Sequence, residues 1–212
     1  MQRRKQLLAP ELRAVSRLGI ATAVTLALSC VACLPAHAIV SFSPAPNAPN
    51  LPTVTLNGSA QTDTATMANW GVSQTLAISG WNVTVAGDTS AGKSPVFKQY
   101  CPNATCGSHS GPGYISGGHT FAAGSLVLDS SGADWTGNLG SPPSHLCNSG
   151  CSMDTTTPVK VANTSGGLLG TWTTTGYSSS SLQVSVPTTT RALTEPGEVY
   201  RVDLVWTLSS GP

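Results

Sequence analysis

Cysteine and histidine carry most of the reactive chemistry this sequence could support. Cys101-x4-Cys106 followed by His109, and His145-x-Cys147-x3-Cys151, set sulfur and imidazole close enough to be drawn as a zinc site. The spacings match no common zinc signature closely, and an even cysteine count in an exported chain usually means disulfides. The four of the six cysteines that lie beyond residue 38 allow three pairings. Cys101–Cys106 and Cys147–Cys151 are the expected pairs, because each closes one loop without requiring the two loops to meet. Each closure adds about 2 kcal/mol in the chain-entropy view and stiffens its loop. No metal and no cofactor are expected.

Other catalytic patterns are sparse. The sequence holds no G-x-S-x-G elbow, H-E-x-x-H pair or phosphate-cradling glycine loop. Ser108-His109-Ser110 sets hydroxyls beside an imidazole, but a triad also needs an acid oriented behind the histidine. His119 and His145 read as exposed loop residues. Asp129-Ser-Ser-Gly-Ala-Asp134 lacks the alternating acids of a calcium loop. Asp63, Asp88, Asp129, Asp134 and Asp154 could supply paired carboxylates for glycoside chemistry, yet nothing singles out two of them. A non-catalytic protein is expected.

Five tryptophans offer a different chemistry, since an exposed indole stacks on sugar rings. Trp81, Trp172 and Trp206 sit in strand-like runs with β-branched or aliphatic neighbours two residues away, which predicts core or half-buried positions. Trp135 lies in Gly132-Ala-Asp-Trp-Thr-Gly137 and is expected on a loop as the exposed contact.

The elements that must position these residues are strands. In Tyr200-Arg-Val-Asp-Leu-Val-Trp-Thr-Leu208, residues 200, 202, 204, 206 and 208 are apolar, which predicts one closing strand with a single buried face. Thr53–Leu56 predicts a first short strand, and Thr64–Ser73, with Met67 and Trp70, another. In Thr75–Val85 the apolar parity switches from Leu76 and Ile78 to Trp81, Val83 and Val85, so a bend is expected at Ser79-Gly80. Ser125–Leu128, Val159–Val161, Gly170–Thr175 and Leu182–Val186 complete the set. Residues 87–123 and 134–158 are irregular, and the four cysteines beyond residue 38 all fall in them. The fold class expected is all-β: a single antiparallel β-sandwich with long disulfide-bearing loop insertions.

Arg3, Arg4, Lys5, Arg13 and Arg17, an uncharged run from Leu18 to Leu34, and Ala36-His37-Ala38 read as a signal peptide over 1–38. Cys30 and Cys33 lack a good lipoprotein box. Residues 39–52, with Pro44, Pro46, Pro49 and Pro52, read as an extended, mobile lead-in, and 53–212 as the sandwich domain. From residue 39 onward the chain keeps five Lys/Arg against eight Asp/Glu, a formal charge of −3. That balance gives no footprint for nucleic acid, and no second apolar run is long enough to span a membrane.

Met67-Ala-Asn-Trp-Gly-Val72, Ser79-Gly-Trp-Asn-Val-Thr-Val85, the terminal Tyr200-x-Val-x-Leu-x-Trp-Thr-Leu208 and the opening Val54-Thr-Leu-Asn-Gly58 together carry a resemblance. The chain resembles the WxL family of bacterial surface proteins, more narrowly the secreted WxL-like proteins of high-GC Gram-positive bacteria. It departs from that pattern in its first triplet, Trp-x-Val, and in its two cysteine-bearing insertions. The resemblance implies a β-sandwich held non-covalently at the cell surface through peptidoglycan or another surface protein, without catalysis. Trp81, Val83, Trp206 and Leu208 are then the motif positions, either touching ligand or holding the fold. Two alternatives come from other classes. One is a fibre subunit whose last strand pairs with a neighbour's Ile39–Phe42, and the other a secreted hydrolase.

Overall fold

Alternating short runs of Val, Leu, Thr and Trp, cut by Gly, Pro and Asn, give strands and no helix among the described residues. The computed structural model describes residues 40–75, 80–137, 141–165 and 169–211. The expected signal peptide, its cleavage site, Cys30, Cys33, Ile39, Leu76 and Ile78 lie outside the described residues.

In chain order the strands are β1 (Val40–Phe42), β2 (Gln61–Ala65), β3 (Gly71–Gln74), β4 (Trp81–Gly87), β5 (Lys98–Cys101) and β6 (Thr105–Cys106). Then come β7 (His109–Ser110), β8 (Gly113–Tyr114), β9 (Leu126–Leu128), β10 (Asp134–Gly137), β11 (Ser144–His145) and β12 (Cys151–Ser152). The chain finishes with β13 (Val159–Thr164), β14 (Gly170–Thr175), β15 (Leu182–Val186), β16 (Val199–Arg201) and β17 (Leu204–Ser210). They form three four-stranded sheets, β1-β3-β14-β10, β11-β13-β4-β17 and β12-β9-β15-β2. A three-stranded sheet β16-β5-β8 and the hairpin β6-β7 complete the all-β antiparallel sandwich.

The three larger sheets turn their apolar faces into one core. Trp81, Val83 and Val85 of β4, Leu126 and Leu128 of β9, and Leu182, Val184 and Val186 of β15 meet there with Val72 of β3. On β13 the register shifts between Lys160 and Ala162, and this bulge lets consecutive residues Val161 and Ala162 both point inward. Gly80 enters β4 at φ +118°, where an added Cβ would lie 2.1 Å from the Thr164 carbonyl oxygen, so the position takes only glycine; Ser79, the other residue of the expected bend, lies outside the described residues. Asp154 is fully buried and accepts the backbone N–H groups of Ser125 (3.0 Å) and Leu126 (2.9 Å), fixing the start of β9.

Several sequence expectations change. The run Tyr200–Leu208 is not one strand: β16 pairs with β5 and β17 with β4, and the chain changes sheets at Val202-Asp203. Asp203, at an outward position of the alternation, is buried because Ser94, Tyr114 and Arg201 supply it with hydrogen bonds. Thr53–Leu56 forms no strand. Val54 and Leu56 pack against the core, while the side chain of Gln61 donates to the Thr55 carbonyl (3.0 Å). The Pro-rich lead-in is anchored, since Val40–Phe42 pairs with β3 and Ala48 and Leu51 pack on the core. Thr64–Ser73 divides into β2 and β3. The two irregular stretches contain seven short strands, and Cys101, Cys106 and Cys151 lie within them rather than in loops.

Between β2 and β3, Trp70 is fully buried, and its indole N–H donates to the Tyr177 hydroxyl (3.0 Å). Replacing Trp70 by Ala should leave an indole-sized cavity and cost about 3–5 kcal/mol. The melting temperature should fall by about 10 °C or more in calorimetry. Tyr177→Phe, which orphans the buried indole N–H, should cost about 1–3 kcal/mol. A Trp70→Ala protein melting like the parent would contradict this packing.

Candidate functional site

The two Trp-x-aliphatic triplets come together. On β4 and β17, Leu208 stands opposite Val83, Trp206 opposite Val85 and Ser210 opposite Trp81. Trp81 and Val83 are fully buried, and Trp206 and Leu208 are half-buried against the same core. The four motif positions therefore zip two neighbouring strands from the inside. Their location suits holding the fold and keeps Trp81 and Val83 from touching a ligand.

Trp135 is a correction. It lies on β10, not on a loop, paired through Asp134–Gly137 with Trp172–Thr175 of β14. Its half-buried ring sits edge-on to Trp70 (centroids 5.1 Å apart) and Trp81 (6.0 Å), and stacks on His145 (5.1 Å, interplanar angle 19°). Of the flanking glycines, Gly137 allows close strand contact, since a Cβ there would overlap the Trp172 ring, while Gly132 lies in the turn before β10. His145 is likewise half-buried rather than exposed, on β11, which pairs with β13. His119 is exposed.

Both expected disulfides are present, Cys101–Cys106 and Cys147–Cys151. The hairpin closed by the first is clamped by two acids from the 187–198 connection. Ser108 Oγ donates to Glu195 Oε1 (2.8 Å), and the His109 Nδ1 edge meets Glu198 Oε1 at 2.6 Å. Glu198 also accepts from Gln99 Nε2 (2.8 Å). Burial pushes Glu198 upward, but the bonds from Gln99 and His109 outweigh it and hold the carboxyl below its usual range. Gly107 lets Glu195 close on the turn, since a Cβ there would overlap its carboxylate. A buried acid behind His109 is half of a triad, but the neighbouring Ser108 hydroxyl is turned to Glu195 instead. The acids considered for glycoside chemistry are dispersed in role: Asp154 binds backbone, while Asp88 and Asp129 cap turns at Ser90 and Ser131. Asp63 lies on β2 and Asp134 on β10.

The sheet β16-β5-β8 brings together residues that the sequence did not single out. Tyr100 stands opposite Tyr114 and Val199, with the tyrosine rings edge-to-face at 5.0 Å. The Arg201 guanidinium lies 4.7 Å from the centroid of Tyr100. Asp203 accepts from the Tyr114 hydroxyl (2.5 Å), Arg201 Nη2 (2.7 Å), Lys93 Nζ (3.5 Å) and the Ser94 N–H (3.3 Å). Burial pushes Asp203 upward, yet the Tyr114 and Arg201 bonds prevail and keep it ionised. Tyr114 is pushed up by burial and by the same carboxylate. The one signal available in sequence was the alternation Lys98-Gln-Tyr-Cys101 beside Val199-Tyr-Arg201, which is too short to stand out. Among the described residues no cluster of three or more His, Cys, Asp or Glu is arranged to hold a metal ion, and no helix is long and apolar enough to cross a membrane.

The Trp135–His145 stack generates a pH prediction. His145 Nε2 is buried without a partner, and burial lowers the imidazole below 6.5 despite the opposing charge of Asp134. The neutral ring therefore contributes stability that is complete above its unfolded value and is lost as pH falls through its folded value. His145→Phe keeps a stacked ring that takes no proton, so its melting temperature should fall less than the parent's between about pH 7 and 5. Equal slopes for the two proteins would contradict the assignment. A scan against protein-family models, a search of curated proteins and a search of solved structures return no match to this chain.

Proposed function

We propose that this chain is an exported, non-catalytic cell-surface protein that binds peptidoglycan or another cell-wall component without a covalent link. The observation that carries the reading is the inward zip of Trp81 and Val83 against Trp206 and Leu208. The four motif positions of the resemblance to WxL-like surface proteins do one physical job together, which is to join two adjacent strands of a sandwich core. Export is supported by the leader-like first 38 residues. Two disulfides fit an oxidising compartment. From residue 39 onward the chain is weakly charged and slightly acidic, which suits a surface protein better than a nucleic-acid partner.

The alternatives have less support. In the fibre reading Val40–Phe42 would pair with a neighbour's last strand, but here it is engaged by β3 of its own chain. For the hydrolase reading, the serine beside His109 is bonded to Glu195, away from the imidazole. Co-sedimentation of the protein from residue 39 onward with washed bacterial cell walls tests the proposal. The protein should pellet with the walls, be released by denaturant without reductant or hydrolysis, and leave the walls undegraded. Protein remaining in the supernatant, or walls that dissolve and release reducing sugar, would overturn it.

A further inference from the structure

We infer that the ligand face is the outer surface of the β16-β5-β8 sheet, and that it takes a saccharide polymer carrying carboxylate groups. This rests on the wall-binding reading above and assigns it a surface and a ligand chemistry.

Strand alternation sorts the sheet into two faces. Cross-strand partners share a side, so Lys98, Tyr100, Tyr114, Val199 and Arg201 point one way. Gln99, Cys101 and Tyr200 point the other way. Gln99 and Cys101 are buried, and the Tyr200 ring packs 4.8 Å from Phe121. Val199 is 42% exposed, one of four large apolar residues so exposed among the described residues. Phe42, Trp70, Trp81, Phe97, Phe121, Trp135, Tyr177, Tyr200 and Trp206 all pack in or against the main core, and Trp172 is buried. Tyr100 and Tyr114 are the half-exposed rings that stand apart from it. With Trp135 held inside, they are the aromatic surface left to meet a sugar.

Charge concentrates on the same face. Of the five Lys/Arg from residue 39 onward, Lys93, Lys98 and Arg201 lie on or beside it, in a segment whose formal charge is −3. Asp203 fixes this group from beneath: it holds Arg201, Lys93 and the Tyr114 hydroxyl while remaining buried itself. Arg201 keeps 42% of its side chain exposed, and a guanidinium offers five N–H donors, of which Asp203 engages Nη2. The side chain is ordered before any ligand arrives, which lowers the entropy lost on binding. Rings and an aliphatic side chain suit the C–H faces of pyranoses, and the planar fork suits a carboxylate. Asp203, with Asp88 close to Lys93, offsets much of the positive charge. What remains fits scattered carboxylates and is too weak to follow a phosphate backbone.

Arg201→Gln and Val199→Glu disrupt the face at partly exposed side chains. Val205→Glu, at a residue 43% exposed on the motif strand β17, serves as the control. Each variant is first matched to the parent by melting temperature, and Arg201→Lys stands in for Arg201→Gln should the latter melt early. Binding is then measured to washed cell walls, to soluble polygalacturonate, and to the same polymer with its carboxyls amidated. The face variants should bind walls and polygalacturonate about tenfold more weakly than the parent. Val205→Glu should bind like the parent, and amidation should abolish the difference between parent and Arg201→Gln. Parent and face variants binding walls equally would overturn the face while leaving the wall-binding reading in place. A parent that ignores walls but binds polygalacturonate through this face would sink the reading and keep the inference. A parent that binds neither polymer overturns both.

Discussion

Trp70 is the contact on which the rest of the sandwich depends. It belongs to no strand, yet its backbone is locked to β14. Its carbonyl accepts the Thr174 N–H (2.8 Å), and its own N–H donates to Thr174 Oγ1 (2.9 Å). Its ring then faces Phe42 of β1 (6.4 Å), Trp135 of β10 (5.1 Å) and Trp206 of β17 (6.0 Å), and its N–H reaches Tyr177. One indole thus joins β1, β10 and β17, the first and last of these being the first and last strands among the described residues. An edge-to-face pair contributes about 0.5–1.5 kcal/mol beyond area burial, so several converging on one ring set which sheets meet and at what angle. The motif tryptophans Trp81 and Trp206 take their places from it, one through Trp135 and the other directly.

That arrangement assigns separate tasks to different aromatics. Tryptophans fill the core with Tyr177, while Tyr100, Tyr114 and Tyr200 belong to the small sheet. The small sheet is attached through Tyr200 and Phe121 on its inner face, and through the acids Glu195, Glu198 and Asp203 around its margins. The disulfide Cys101–Cys106 shortens the free path of its hairpin, and the two glutamates pin that hairpin to the 187–198 connection. A surface built this way rests on the main core through Tyr200 and keeps its outer side chains, Tyr100, Tyr114, Val199 and Arg201, apart from it. It can therefore vary in side chain while the sandwich stays intact, which is the usual relation between a scaffold and its binding surface.

Legibility followed the range of the interactions involved. β14 and β15 were readable to the residue, as Gly170–Thr175 and Leu182–Val186, because alternation and flanking breakers are local. The cysteine pairing was readable for the same reason, with partners five and four residues apart. Trp135 was misplaced because its strand exists only by pairing with Trp172–Thr175, and nothing within residues 132–137 announces that partner. Asp203 was misread as an outward residue, since three of the groups that bury it come from positions 93, 94 and 114. Tyr100 and Tyr114 were passed over because strands of four and two residues leave no periodic trace. The scaffold was visible in the sequence, and the small sheet β16-β5-β8 was not.

The most direct test of the central claim, that the motif strands hold the fold while the small sheet meets the ligand, is amide hydrogen exchange of the protein free and bound to washed cell walls. Added protection on binding should concentrate in β5, β8 and β16, with β4 and β17 already slow in the free protein and unchanged when bound. Protection gained along β4 and β17, with β5, β8 and β16 unaffected, would make the Trp-x-aliphatic strands the ligand surface and contradict the account.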